Sequence, residues 1–115
     1  MKILFYGAKD YDQQFFDQLH PDYPEIEITF IEANIYQETA SLSAGYDGIC
    51  AFVNGDLSAP VIRKLFHQGV RLILMRCAGY NNVDLNKTAE CGIKVLRVPG
   101  YSPEAVAEHA MALVL

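Results

Sequence analysis

DGICAFVNGDLSAPVIRKLFHQGVRLILM, residues 47–75, decides the fold. Residues 47–53 are an apolar run of strand length, ended by Asn54-Gly55. Ser58 then offers an N-cap, Pro60 falls in the first turn, and Val61, Ile62, Leu65 and Phe66 supply the apolar positions of a helix. That helix ends near Gln68-Gly69, and residues 71–75 form the next strand. Strand, helix and strand in that order describe a βα unit and not a hairpin.

The same unit repeats on either side. Towards the amino terminus, residues 2–6 are a short apolar strand stopped by Gly7, and residues 11–20 read as a helix with Phe15, Phe16 and Leu19 on one side. Residues 26–31 alternate apolar and polar side chains, as expected of a strand nearer the sheet edge, and a short helical stretch follows over residues 37–44. Towards the carboxyl terminus, Asp84 caps a short helix running through Glu90, with Gly92 at its C′ position, and residues 94–98 form a fifth strand stopped by Pro99-Gly100. The strands begin at residues 2, 26, 47, 71 and 94. The predicted fold is α/β, a doubly wound parallel five-stranded sheet with flavodoxin-like strand order.

Composition bounds the function. A chain of 115 residues, 51% of them hydrophobic, suits one compact domain. The net charge is −5 and the nine Lys and Arg residues are scattered, which argues against nucleic acid as a partner, because phosphate neutralisation needs clustered positive charge. Cys50, Cys77 and Cys91 are odd in number and form no CxxC pair, so reduced thiols in a cytoplasmic protein are expected. The first apolar stretch, residues 3–6, is too short for a signal peptide, and no run reaches the length of a membrane span.

Ser102-Pro103-Glu104 is a strong helix start, but the helix it opens runs to Leu115 with no C-cap and with residues 110–115 all apolar. Such an end predicts a chain cut short or a helix that docks on something outside this sequence; the alternative is a self-contained domain whose C-terminal helix docks on it.

In an open α/β sheet, ligands bind at the carboxyl ends of the strands. Four loops converge there: residues 7–10, 53–56, 76–82 and 99–102. The third is the most unusual. Ala78-Gly79 would let a ligand approach the backbone closely, and two N–H groups there could fix a small carboxylate, at roughly 1.5–3 kcal/mol for each hydrogen bond to a charged group.

Two segments carry a resemblance: RCAGYNNVDL, residues 76–85, and VPGYSPEAVAEHA, residues 98–110. Together, at this separation and on these elements, they look like the paired motifs of the D-lactate dehydrogenase branch of the D-isomer-specific 2-hydroxyacid dehydrogenases. The first strand also fits, and the resemblance covers essentially the whole chain. It implies a two-domain oxidoreductase that interconverts a 2-keto acid and a D-2-hydroxy acid, pyruvate and D-lactate first among them, using NAD. It further implies that residues 1–100 form the substrate-binding domain. Residues 101–115 would then be the hinge and first crossover helix into an absent NAD-binding domain, through which the full-length protein would form a homodimer. Residue by residue, it assigns the Ala78 and Gly79 backbone to the substrate carboxylate, Tyr101 to substrate contact, Phe52 to the substrate's side-chain pocket and Val106 to packing near the nicotinamide.

The fingerprint for NAD is missing. The eight glycines lie at 7, 45, 48, 55, 69, 79, 92 and 100, and no three have GxGxxG spacing. In the family the catalytic Arg, Glu and His also come later, so no catalytic residue is expected in this chain, no metal is expected, and the chain alone is expected to lack activity.

Competing readings stand beside these. His109 follows Glu108 on the crossover helix and is read as structural. Cys77, beside Arg76, has no histidine evidently placed to activate it, and Arg76 itself is read as an anchor of the loop or an interface. Phe52, at a strand end, is core by default, and pocket lining is the alternative that the resemblance adds. A five-strand βα domain could also be a phosphoacceptor receiver, a signalling module. Asp10 and Asp56 partly imitate its acidic residues, but no adjacent acidic pair follows the first strand and no Lys follows the fifth. A non-catalytic keto-acid-binding domain is the third possibility.

Overall fold

The computed structural model describes residues 1–10, 14, 26–52, 55–75 and 83–97. The strands are β1 (Lys2–Phe5), β2 (Glu27–Phe30), β3 (Gly48–Ala51), β4 (Leu72–Met75) and β5 (Lys94–Arg97). The helices are α1 (Ala59–His67) and α2 (Leu85–Cys91), with a 3-10 helix over Ala40–Ser43. The five strands form one sheet in the order β2-β1-β3-β4-β5, and every neighbouring pair is parallel. This is the flavodoxin-like order expected from the sequence.

Side chains alternate across the pleat and bury both faces. Leu4 and Tyr6, Ile49 and Ala51, and Ile73 and Met75 join Val61, Ile62 and Leu65 of α1 in one core, which also takes in Ile35, Ala40, Leu57, Val70 and Ile93. α1 presents its apolar stripe to this core and packs against α2 and the 3-10 helix. On the opposite face Ile3, Phe5, Cys50 and Leu74 are each at most 2% exposed. Phe5 pairs in register with Phe30 of the edge strand, ring centroids 5.2 Å apart. Gly48 is the one β3 position squeezed between neighbours: a Cβ there would lie 2.9 Å from Ile3 Cδ1 and 3.1 Å from the Leu72 carbonyl oxygen.

Local signals explain most element ends. The Asp84 carboxylate accepts a hydrogen bond from the Lys87 N–H at 3.0 Å and caps α2, and Gly92 ends that helix in the left-handed conformation at φ 72°. Ser58 is at the N-cap of α1, but its hydroxyl makes no capping bond. The Asp56 carboxylate instead accepts from the Ser58 N–H at 2.9 Å. The expected helix over residues 37–44 is only a 3-10 turn. Ser41 and Ser43 donate back to the carbonyls of Glu38 and Ala40, and such local bonds compete with an α-helical ladder. Asp10 and Gln14 are helical, and the rest of the helix expected over residues 11–20 lies outside the described residues, as does that expected after Ser102.

Candidate functional site

The strand order reverses direction between β1 and β3, so the carboxyl ends of these two strands flank the crevice where open α/β sheets bind ligands. The loops leaving them are tied to the connection that follows β2. Gly7 N donates to Ala33 O at 2.8 Å and Ala8 N to Ile31 O at 2.9 Å. From the other side Asp56 N donates to Ile35 O at 2.7 Å. Residues 31–35 therefore clamp the loops after β1 and β3 through backbone hydrogen bonds, which satisfy groups that a loop would otherwise leave to water.

Phe52 stands at the end of β3. Its strand neighbours Ile49, Cys50 and Ala51 are at most 1% exposed, while Phe52 is 38% exposed. It is thus no core residue, despite the default for an apolar residue at a strand end. Gly55 N donates to Phe52 O at 3.0 Å and closes the turn that carries it. A Cβ at position 55 would collide with the Ile35 side chain, which would have to shift to admit it.

Behind this turn lies Tyr6, 1% exposed, whose N–H extends the β1–β3 pairing to Cys50 O at 3.0 Å. Its hydroxyl donates to Thr39 O at 2.8 Å. Burial pushes the phenol up to about 12; Tyr46 adds to the rise and a hydrogen bond with Ser43 opposes it. The phenol is therefore a neutral donor across the working pH range. The Thr39 hydroxyl in turn donates to Asn34 O at 2.7 Å and accepts from Tyr36 N at 2.8 Å. Sequence reading passed over Tyr6 and Thr39. The available signal was a tyrosine closing an apolar strand, whose hydroxyl must find a partner once buried.

The loop of residues 76–82 is framed at both ends. It leaves from Met75, fully buried at the end of β4, and the chain returns at Val83, which bridges to Leu57, while Asp84 N donates to Leu57 O at 2.9 Å. Ala78, Gly79, Tyr101 and Val106 lie outside the described residues, as do Arg76, Cys77 and His109. Of the residues that imitate a receiver's acids, Asp56 is engaged with Ser58 N and Asp10 is helical. Among the described residues no three His, Cys, Asp or Glu side chains cluster to hold a metal, and no helix is long and apolar enough to cross a membrane.

Comparison with known proteins extends this picture. Residues 3–112 match the family described as D-isomer specific 2-hydroxyacid dehydrogenase, catalytic domain. The D-lactate dehydrogenase of Escherichia coli (strain K12) is 43% identical over 115 residues, covering 100% of this chain and 35% of that protein. Its apo structure matches with a TM-score of 0.83 over 98% of this chain and 36% of that one. The 2-hydroxyacid dehydrogenase A of Aspergillus oryzae is 47% identical over 116 residues, covering 99% of this chain and 33% of that protein. A structure of D-lactate dehydrogenase with NAD+ from Lactobacillus jensenii is 26% identical, with a TM-score of 0.76, and covers 99% of this chain and 34% of that one. The chain spans about a third of the length of the curated relatives it matches. On its motifs, its fold and its match over residues 3–112, the chain belongs to the D-isomer specific 2-hydroxyacid dehydrogenase family.

Proposed function

We propose that this chain is the substrate-recognising part of an NAD-dependent, cytoplasmic D-2-hydroxyacid dehydrogenase, with pyruvate and D-lactate as the favoured pair. The observation that carries the reading is 43% identity to a D-lactate dehydrogenase across the whole chain. In this reading the backbone N–H groups of Ala78 and Gly79 hold the substrate carboxylate, with the Tyr101 hydroxyl beside it. The exposed ring of Phe52 faces the substrate's side chain and limits its size. Val106 packs near the nicotinamide. Two charge-assisted hydrogen bonds and one apolar wall suffice to orient a molecule as small as pyruvate.

The described residues do not fit NAD. A pyrophosphate needs an open helix N-terminus with a glycine-rich approach. Here the Asp84 carboxylate caps α2, and the Asp56 carboxylate holds the Ser58 N–H just ahead of α1. No GxGxxG precedes either helix. We therefore assign NAD to the remaining two thirds of length that the relatives possess, and derive no hydride-transfer step from this chain.

Steady-state assays test the reading. The full-length protein is expected to oxidise NADH in the presence of pyruvate and to release D-lactate, and residues 1–115 alone are expected to do neither. Failure of the full-length protein with every 2-keto acid tried would sink the enzyme reading. Turnover by residues 1–115 alone would show that the chain does more than recognise substrate.

A further inference from the structure

We infer that Tyr6 and Thr39 are positioning residues that set the height of Phe52 in the substrate pocket, through the connection between β2 and β3. The inference rests on the reading of Phe52 as a pocket wall. A continuous path joins the three residues. The Tyr6 hydroxyl holds Thr39 O at 2.8 Å, and the Thr39 hydroxyl holds Asn34 O at 2.7 Å and Tyr36 N at 2.8 Å. These bonds bracket Ile35 on both sides in sequence. Ile35 is 1% exposed; its carbonyl takes the Asp56 N–H, and its side chain is the group on which any Cβ at position 55 would collide. Gly55 closes the turn onto Phe52 O.

The path needs no moving part. Phe52 is 38% exposed, so packing around its own ring fixes it less than it fixes the buried β3 residues. Its position then depends in part on where the backbone near Gly55 and Asp56 is anchored, and Ile35 is an anchor there. A buried phenol suits this role, because it stays protonated and cannot exchange its partner for water. Neither Tyr6 nor Thr39 is assigned a contact with substrate. Their effect is therefore expected in selectivity and not in the chemical step.

The test uses the full-length enzyme and the ratio of kcat/KM for pyruvate to kcat/KM for a branched six-carbon 2-keto acid. Tyr6→Phe removes the donor while keeping the ring. It is expected to lower the ratio roughly three- to tenfold, within the range that small displacements of a positioning contact produce, with KM for pyruvate raised and kcat nearly constant. Thr39→Val is expected to act in the same direction, and Thr39→Ser, which restores the hydroxyl, to recover most of the loss. On a Phe52→Ala background, Tyr6→Phe is expected to leave the ratio where Phe52→Ala put it. If Tyr6→Phe fails to fold, the Thr39→Val and Thr39→Ser pair carries the same test. A lower melting temperature with an unchanged ratio in Tyr6→Phe and Thr39→Val would overturn the positioning role while leaving Phe52 as a wall. An unchanged ratio in Phe52→Ala would instead remove the pocket reading on which the inference rests.

Discussion

The two ends of this sheet solve different problems. At the amino end, backbone bonds run from strand to strand: Asp47 N to Lys2 O at 2.8 Å, Arg71 N to Asp47 O at 2.9 Å and Lys94 N to Arg71 O at 2.9 Å. Gly45, Gly69 and Gly92, all at positive φ, bring the chain into β3, β4 and β5 there. The side chains of Lys2, Asp47, Arg71 and Lys94 are exposed. At the carboxyl end the loops are bonded to one another, a buried tyrosine and a threonine brace them from behind, and an aromatic ring is left half out in solvent. One end closes the fold with tight turns and with charged residues that bond the backbone, Asp47 accepting from Lys2 N and Arg71 donating to the Phe66 and Val70 carbonyls. The other leaves the apolar Phe52 partly exposed beside loops held by their own backbone hydrogen bonds.

Substitutions should separate the two ends. The largest effect belongs to neither: Leu65→Ala, in the fully buried stripe of α1 beneath both, is expected to cost about 2–5 kcal/mol in urea denaturation. A loss below about 1 kcal/mol would mean that the α1 layer is not a packed core. Next comes Gly55→Ala at the carboxyl end. Ile35 must yield to the added methyl, at about 1–3 kcal/mol, and KM for the keto acid is expected to rise with it. Gly92→Ala at the amino end is expected to cost about 1 kcal/mol, because its φ of 72° disfavours a Cβ, yet to leave KM unchanged. Equal effects of Gly55→Ala and Gly92→Ala on KM would erase the contrast. The last effect concerns pH and vanishes at neutrality. The unfolded chain releases the Tyr6 proton near 10.0, whereas the folded protein holds it to about 12. The unfolded state thus binds fewer protons between those values, and stability falls as pH rises through them. Denaturation curves of Tyr6→Phe should show a shallower fall in that window and no difference in pH dependence below it.

Short-range features were largely legible in the sequence, and long-range contacts were not. Strand positions, their parallel order, the Asp84 cap and the Gly92 C-cap follow from local rules, since each depends on residues a few positions apart. The bracing of Phe52 depends on Tyr6 meeting Thr39, 33 residues away, and on Ile35 meeting Gly55, and no local pattern announces either contact. Ser58 illustrates the limit at short range. The sequence points to it as the N-cap of α1, and it stands there, but its hydroxyl makes no capping bond, and the Asp56 carboxylate two residues earlier accepts from its N–H. Both residues favour such bonds, and nothing local in the sequence says which one forms. For Phe52 the apolar run pointed to core and only the family resemblance pointed to a pocket; the exposed position agrees with the second and not the first.

The most direct test of the proposed recognition site at the carboxyl end is the kinetics of Phe52→Ala in the full-length protein. Since Phe52 is 38% exposed, its melting temperature should move little. The kcat/KM for pyruvate is expected to fall about tenfold, the value of one good apolar contact, while that for a branched six-carbon 2-keto acid holds or rises. An equal fall for both acids, or none for either, would contradict the account.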